Sequence, residues 1–114
     1  MSDFRRIGTE AEDQAAELLL QKGYTIVTRR FKAAHGEIDL IALDGDVMVF
    51  VEVKLRRVVG MRAEENVGDV KIGRIARAAR EYLLKMEEPD REIRFDVVAI
   101  DSEGLRHHVD AFRP

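Results

Sequence analysis

The clearest hydrophobic pattern in the chain is an alternation over positions 36–54, interrupted once by Asp44-Gly45-Asp46. An Asp-Gly pair between two apolar runs is typical of a β-hairpin, because a type I′ turn needs positive φ at both central residues. We therefore predict a hairpin with Asp44-Gly45 as its two-residue loop. In that register Leu43 pairs with Asp46.

The two faces of this hairpin differ in polarity, since side chains alternate along a strand. One face has no polar residue and contains Ile38, Leu40, Ala42, Val47, Val49, Val51 and Val53. The other face carries Glu37, Asp39, Glu52 and Lys54 at its open end, with Ile41, Leu43, Met48 and Phe50 beyond. In the predicted register Asp39 faces Phe50, and Glu37 faces Glu52. Because opposed carboxylates repel, we expect a cation beside them, either Lys54 or a divalent metal ion.

Two further segments have helical periodicity. The first runs from residue 9 to about residue 22, with Thr9 as the N-cap and Glu12 in the capping-box position. The second covers residues 69–86, has one apolar stripe and ends before Pro89. Both are long enough to cover a small sheet.

Other strands are predicted at residues 24–28, 95–100 and 105–112, with a basic connection at 31–36 and a loop with one helical turn at 56–68. The resulting order is α, β, hairpin, α, β, β. This order predicts a single α/β domain over residues 1–114, in which helices flank both faces of a small mixed β-sheet.

Composition narrows the class of protein. With 46% hydrophobic and 36% charged residues, the chain of 114 residues is typical of a globular protein. The absence of cysteine excludes disulfides, thiol catalysis and cysteine-based zinc sites. No stretch resembles a signal peptide or a membrane span, so we expect a cytoplasmic protein with no membrane partner. The net charge of −3 argues mildly against a protein that coats nucleic acid.

Several motifs together resemble a nuclease family. GEIDLIA at residues 36–42 and VFVEVKLRR at 49–57 resemble the PD-(D/E)XK nuclease superfamily and, more narrowly, the bacterial YraN-like predicted endonucleases. The latter are similar in fold to archaeal Holliday-junction resolvases. Further similar positions are residues 8–12, Lys71, residues 94–96 and residues 111–112. The family often has asparagine near the end of the second strand, where this chain has Thr28-Arg29-Arg30. The resemblance implies a restriction-endonuclease-like core and leaves the physiological substrate open.

The chemistry of phosphodiester hydrolysis explains why these side chains would lie together. Mg²⁺ is usually held by one or two carboxylates, retains several waters, and can activate water and neutralise developing charge. Asp39 and Glu52 come from adjacent strands and could share Mg²⁺ or Mn²⁺, with the backbone carbonyl of Val53 as a third ligand. Lys54 would hold the attacking water or the scissile phosphate.

Two more acids are candidates at this site. Glu37 lies one pleat from Asp39 and could hold an outer-shell water or a second ion. Glu12 could approach as a catalytic acid or a metal ligand from a helix packed on the acid face; alternatively, it only caps its helix. The three histidines, His35, His107 and His108, have no suitably spaced partner, and we expect none of them to bind metal.

Basic residues lie on both sides of these acids in the sequence. The candidates for nucleic-acid binding are Arg29, Arg30, Arg56, Arg57, Lys71 and Arg74. Such clusters would bind a phosphate backbone while the acids hold a metal ion, although a charged helix face can also be merely solvated. Because aromatic residues make up only 6% of the chain, we expect duplex or branched DNA as the partner, not stacked single-stranded bases.

Three functions are compatible with these features. The first is a Mg²⁺-dependent endonuclease acting on duplex or branched DNA. The second is a nucleic-acid-binding module on a nuclease fold, inactive alone or dependent on a partner. The third is a structural or partner-binding α/β protein whose acids are incidental. Resolvase-like relatives are dimers, so the resemblance leaves a homodimer open, although the sequence has no signal for an interface.

Overall fold

The computed structural model describes residues 3–55 and 68–114, with side chains described from residue 10 onward. Its elements are α1 (Asp3–Gln21), β1 (Thr25–Lys32), β2 (Glu37–Asp44), β3 (Val47–Leu55), α2 (Asp69–Lys85), β4 (Ile93–Asp101) and β5 (Gly104–His108). Apart from Gly68, the loop predicted at residues 56–68 lies outside the described residues, and so do Arg56 and Arg57. Neither helix combines the length and apolar character needed to cross a bilayer.

The described strands form one five-stranded sheet in the order β1-β2-β3-β4-β5. Its strands pair antiparallel except for β3 and β4, which run parallel. Parallel neighbours need a long crossover, and α2 lies in the connection between these two strands. The prediction of a small α/β fold with a mixed sheet is confirmed.

The hairpin of β2 and β3 forms, but its two-residue loop lies one residue later in the chain than predicted. Asp44 pairs with Val47, so Gly45 and Asp46 form the two-residue connection. Gly45 has a φ of 59°, whereas Asp46 is not among the described residues with positive φ. Glycine at the first central position alone is the pattern of a type II′ turn, which replaces the expected type I′ turn.

The helices cover opposite faces of the sheet. Under α1 lies a core of Ala15, Ala16, Leu19, Tyr24, Leu40, Ala42, Val49, Val51 and Val98. Under α2 lies a second core that includes Ile41, Met48, Phe50, Phe95, Ile75, Ala78, Ala79 and Tyr82. The prediction that helices cover both faces is therefore confirmed. The apolar face of the hairpin packs against α1.

One residue departs from the predicted faces. Ile38 packs in the core under α2, not with Leu40 under α1. The adjacent strand has a matching irregularity, because Arg30 has a φ of 55°. That left-handed conformation interrupts strand alternation. As a result Arg29 reaches α1, while Phe31 packs on the core under α2.

Several predicted boundaries also need correction. Because α1 begins at Asp3, Thr9 lies inside the helix, and the capping-box interpretation of Glu12 is wrong. β1 continues to Lys32, beyond its predicted end at residue 28 and into the first two residues of the predicted basic connection. The last strand ends at His108 instead of residue 112. Asp110 has a φ of 56° shortly afterwards, which departs from extended backbone.

Candidate acid site at the open end of the hairpin

Asp39 and Glu52 meet where β2 begins and β3 approaches its end. The paired ladder of β2 and β3 ends at Leu40–Val51, one residue before Asp39 and Glu52, and Phe50 pairs with Ile41, so the predicted pairing of Asp39 with Phe50 is wrong. The side chains of Asp39 and Glu52 are hydrogen-bonded, which requires a shared proton between the two carboxyl groups. Glu52 is only 4% exposed. The two acids therefore form one buried pair.

The surroundings of Asp39 favour its neutral form. Burial and the charge of Glu52 raise the pKa of the Asp39 carboxyl to about 8, with a smaller contribution from Glu12. The backbone N–H of Val53 opposes this shift, since it donates to Oδ2 of Asp39 at 2.7 Å. This agrees with the expectation that neighbouring like charges favour the protonated state.

Lys71, which was predicted to bind phosphate, contacts an acid of the site in this structure. Its Nζ lies 2.5 Å from Oε2 of Glu52, although the lysine itself is about half exposed. Lys71 belongs to the first turn of α2, where the helix dipole disfavours a cation. In this structure its charge compensates a buried acid, a role that the sequence pattern did not reveal.

Glu12 reaches the site from the side opposite to α2. It projects from α1, which packs on the apolar face of the hairpin, so the predicted approach across the acid face is wrong. Its Oε1 accepts a hydrogen bond of 2.6 Å from Nε of Arg30. Glu12 and, more weakly, Glu37 and Asp39 raise the pKa of the Arg30 guanidinium. Arg30 is therefore a cation surrounded by the acids of the site.

Lys54 and Glu37 are the last two residues predicted for the acid site. Lys54 is two residues after Glu52 in the regular β3–β4 ladder, which places both on the same face, and its side chain is half-buried. Glu37 is the exposed first residue of β2 and pairs with Lys32 of β1. Thus Asp39, Glu52 and Lys54 are gathered at one end of two adjacent strands, as predicted.

The donor set at this site fits a hard divalent cation. Two carboxylates and the backbone carbonyl of Val53 are all oxygen donors, the type that Mg²⁺ and Mn²⁺ prefer. Within residues 3–55 and 68–114, no three His, Cys, Asp or Glu side chains converge closely enough to form a metal cluster. Mg²⁺ requires only one or two protein carboxylates, so the pair of Asp39 and Glu52 is sufficient.

Two further predicted basic residues, Arg29 and Arg74, are among the described residues. Arg29 is exposed and forms an ion pair with Asp13 of α1. Arg74 is exposed on α2, and its backbone lies close to the start of β2, because a Cβ added at Gly36 would be 2.9 Å from the carbonyl oxygen of Arg74. This close approach positions the first turns of α2 beside the acid pair.

A second polar cluster, which the sequence reasoning missed, lies under the end of α1. Arg94 and Asp96 project from the same face of β4 and form two hydrogen bonds, Nε–Oδ1 at 2.9 Å and Nη2–Oδ2 at 3.0 Å. His107 Nε2 lies 2.8 Å from Oδ2 of Asp96, and Lys22 Nζ lies 2.8 Å from Nδ1 of the same imidazole. Since an ammonium can only donate, Nδ1 is the acceptor and Nε2–H donates to Asp96.

Hydrogen bonds within this cluster compensate the charge of the buried Asp96 carboxylate. Burial alone would raise the pKa of Asp96, but hydrogen bonds from His107, Arg94 and the Asp110 backbone lower it to about 2. Arg94 also contacts Asp44 and the hydroxyl of Tyr24. The i, i+2 spacing of arginine and aspartate in a predicted strand was the available signal for this cluster.

An open groove of about 1110 Å³ lies elsewhere, between α2 and the C-terminal residues. Its lining includes Arg77, Arg80, Leu83 and Phe112. None of the predicted site residues lines it, so the acid site and this groove are separate features.

Sequence comparison places the chain among bacterial proteins of similar length. The chain is 38% identical over 106 residues to a UPF0102 protein of Persephonella marina, covering 92% of this chain and 91% of the relative. It is 46% identical over 100 residues to UPF0102 protein STH1475 of Symbiobacterium thermophilum, covering 85% and 83%. It is 43% identical over 108 residues to UPF0102 protein CT2262 of Chlorobaculum tepidum, covering 90% and 84%.

The corresponding family model spans most of the described fold. The model of the family described as "Uncharacterised protein family UPF0102" matches residues 11–100, from the middle of α1 to the end of β4. This region contains Glu12, Arg30, Asp39, Glu52 and Lys71. The chain therefore belongs to the UPF0102 family.

Proposed function

We propose that this protein is a Mg²⁺- or Mn²⁺-dependent endonuclease that hydrolyses phosphodiester bonds of duplex or branched DNA. The observation that carries the proposal is the hydrogen-bonded pair of Asp39 and Glu52 on adjacent strands, with Lys54 two residues further on the same face. The arrangement is compatible with the restriction-endonuclease-like core that the PD-(D/E)XK motif implies.

Each residue has a distinct role in this proposal. Asp39, Glu52 and the Val53 carbonyl would hold the divalent ion, which when bound supplies positive charge that acidifies water and stabilises the transition state. Lys54 holds the attacking water or the scissile phosphate through its ammonium group. Glu37 orients an outer water at the rim of the site.

Basic residues would hold the substrate on both sides of the acids. Arg29 and Arg74 are exposed on β1 and α2, on either side of the acid pair, and Arg56 and Arg57 directly follow β3 in the sequence. These side chains would contact backbone phosphates, which gives affinity without base readout. The proposal therefore predicts preference for a DNA shape over a DNA sequence.

The test is metal-dependent cleavage of a panel of linear, flapped and four-way-junction DNAs. Wild-type protein is expected to cut at least one member with Mg²⁺ or Mn²⁺, and Glu52→Gln, purified identically, is expected to be inactive. Lys54→Ala should bind DNA nearly as well as wild type but cut about a hundredfold more slowly, the scale for losing one positioned electrostatic group. Equal activity of wild type and Glu52→Gln would indicate a contaminating nuclease and overturn the proposal.

A second function is favoured by one observation. Glu52 and Glu12 are each already paired with a cation of the chain, Lys71 and Arg30. This state suits a nucleic-acid-binding module that is inactive alone or needs a partner protein. Low-salt DNA binding without cleavage of any substrate would support this alternative, whereas neither binding nor cleavage would support a structural or partner-binding protein.

A further inference from the structure

Two ion pairs connect the acid site to residues predicted to contact phosphate. Lys71 contacts Glu52, and Arg30 contacts Glu12. In both pairs the acid is the buried partner: Glu52 is 4% exposed against 46% for Lys71, and Glu12 is 12% exposed against 39% for Arg30. Each cation therefore stands between solvent and a carboxylate of the proposed metal site.

Both cations occupy positions that their own backbone disfavours. Lys71 lies in the first turn of α2, where the exposed N–H groups repel positive charge. Arg30 has a φ of 55°, a region that costs energy for a residue with a side chain. Helix or strand propensity does not explain why a cation stands at either position. At both positions the cation contacts an acid.

The same two side chains can bind other anions. Arginine and lysine are the usual protein ligands of phosphate. An ion pair whose cation is about half exposed contributes little net stability, since solvent screens it. A DNA phosphate can therefore replace the carboxylate as the partner of either cation, and a divalent ion can replace the cation as the partner of either carboxylate.

We propose that Lys71 and Arg30 are exchangeable counter-ions that couple DNA binding to divalent-cation binding, an inference that rests on the proposed nuclease function. Without ligands, they neutralise Glu52 and Glu12. When a phosphate backbone binds, both side chains move to phosphate groups, which frees Glu52 to bind the metal ion and leaves the negative charge of Glu12 near the site. DNA and metal then each raise the affinity for the other by the same factor, as linkage requires.

The first test uses Mn²⁺ alone, without DNA, and measures affinity by calorimetry. Lys71→Gln removes the competitor for Glu52 and should raise Mn²⁺ affinity about tenfold, a size typical of coupling between sites. Lys71 is half exposed, so this change leaves the core intact. The matched control is Arg80→Gln, which removes one exposed positive charge from a later turn of α2 and should leave Mn²⁺ affinity unchanged.

The second test measures binding of a short fluorescent duplex by anisotropy, with and without Mn²⁺, at low temperature and with intact DNA verified on a gel. Mn²⁺ should tighten duplex binding by about fivefold or more in wild type and in Arg80→Gln. Lys71→Gln should lose most of this increase. Adding Arg30→Asn should abolish the rest, and asparagine tolerates the left-handed backbone at that position.

The outcomes separate the two proposals. If wild type binds both ligands, but Lys71→Gln keeps wild-type Mn²⁺ affinity and a wild-type response of duplex binding to Mn²⁺, the counter-ion role is wrong and the proposed nuclease function stands. If wild type binds neither Mn²⁺ nor duplex, the proposed function is wrong, and the coupling is wrong with it.

Discussion

Asp39 and Asp96 belong to the same sheet, yet the pKa values of their carboxyl groups shift in opposite directions. The pKa of Asp39 is raised to about 8, because it is buried beside Glu52. The pKa of Asp96 is lowered to about 2 despite complete burial, because His107, Arg94 and a backbone N–H donate to it. Burial raises both values, so the difference comes from the neighbours.

The comparison separates a structural acid from a candidate functional one. Asp96 has its charge compensated within the fold, by Arg94 of β4, by the N–H of His107 on β5 and by the backbone N–H of Asp110. Asp39 faces another acid, and the cations nearby, Lys71 and Arg30, contact other carboxylates. An added divalent cation would gain free energy at this pair, where two carboxyl groups lie together beside the half-exposed Lys71.

Removing the structural acid should have the largest effect on stability. Asp96→Asn leaves Arg94 with Asp44 as its remaining anion among the described residues and buried His107 without a charged acceptor, and removing one partner of a buried ion pair costs about 3 to 5 kcal/mol of unfolding free energy. Asp39→Asn in the metal-free protein should be neutral or stabilising, because asparagine is always neutral and neutral is the form that burial and Glu52 favour for this side chain. Urea denaturation in chelator compares the two variants. A strong destabilisation by Asp39→Asn would make Asp39 a structural acceptor for the Val53 N–H.

The next largest effect on stability should come from divalent cations, which should distinguish Asp39 from Asp96. An ion that binds only the folded state stabilises by about 2.7 kcal/mol at one hundred times its Kd. Millimolar Mg²⁺ or Mn²⁺ should therefore raise the Tm of wild type, and do so much less in Asp39→Asn. Arg29→Gln provides a folded control that should respond as wild type does. An equal rise in wild type and Asp39→Asn would place the ion elsewhere.

The pH dependence of stability should have opposite signs for the two acids. Asp96 contributes stability that is present above its ordinary pKa of 3.8 and is lost as pH falls towards 2, by about 2 kcal/mol at 1.36 kcal/mol per pKa unit. Protonated Asp39 contributes stability that is present below 3.8 and is lost as pH rises towards 8. Urea denaturation across this pH range, with each Asp→Asn variant beside wild type, measures both slopes. A wild-type slope retained in Asp39→Asn between pH 4 and 8 would assign it to another group.

The smallest effect is expected for an exposed cation at the edge of the acid site. Arg29 pairs with exposed Asp13, so Arg29→Gln should change stability by about 1 kcal/mol or less. If Arg29 contacts a phosphate, the slope of log affinity for DNA against log salt should fall by about one unit. Arg80→Gln, an exposed change on α2, is the control. An unchanged slope for Arg29→Gln would remove this residue from the DNA interface.

Much of the fold followed from periodicity, and the errors lay where local rules compete. The hairpin, α2 and the mixed sheet were predictable because apolar positions recur with the period of each element. The position of the turn was not predictable. The apolar runs on either side of Asp44-Gly45-Asp46 allow Gly45 at either central position of a two-residue turn. The N-terminus of α1 was missed because Thr9 and Glu12 match a capping box that the longer helix overrides.

The candidate site was predictable in membership but not in its pairing. Alternation alone placed Asp39, Glu52 and Lys54 on one face. The ion pair of Lys71 with Glu52 joins residues from different elements, and no spacing rule relates them. Arg30 likewise contacts Glu12 only because its left-handed backbone interrupts the strand.

By itself, the sequence determined which residues share a face, because side-chain direction within one strand or helix depends on local geometry. Only the tertiary structure decided which charges compensate which. Asp39 and Asp96 lie in similar local patterns, but their pKa values depend on groups brought from other elements: Glu52 for one, His107 and the Asp110 backbone for the other. Electrostatic energy depends on distance in space and on burial, and both are set only when the helices pack on the sheet.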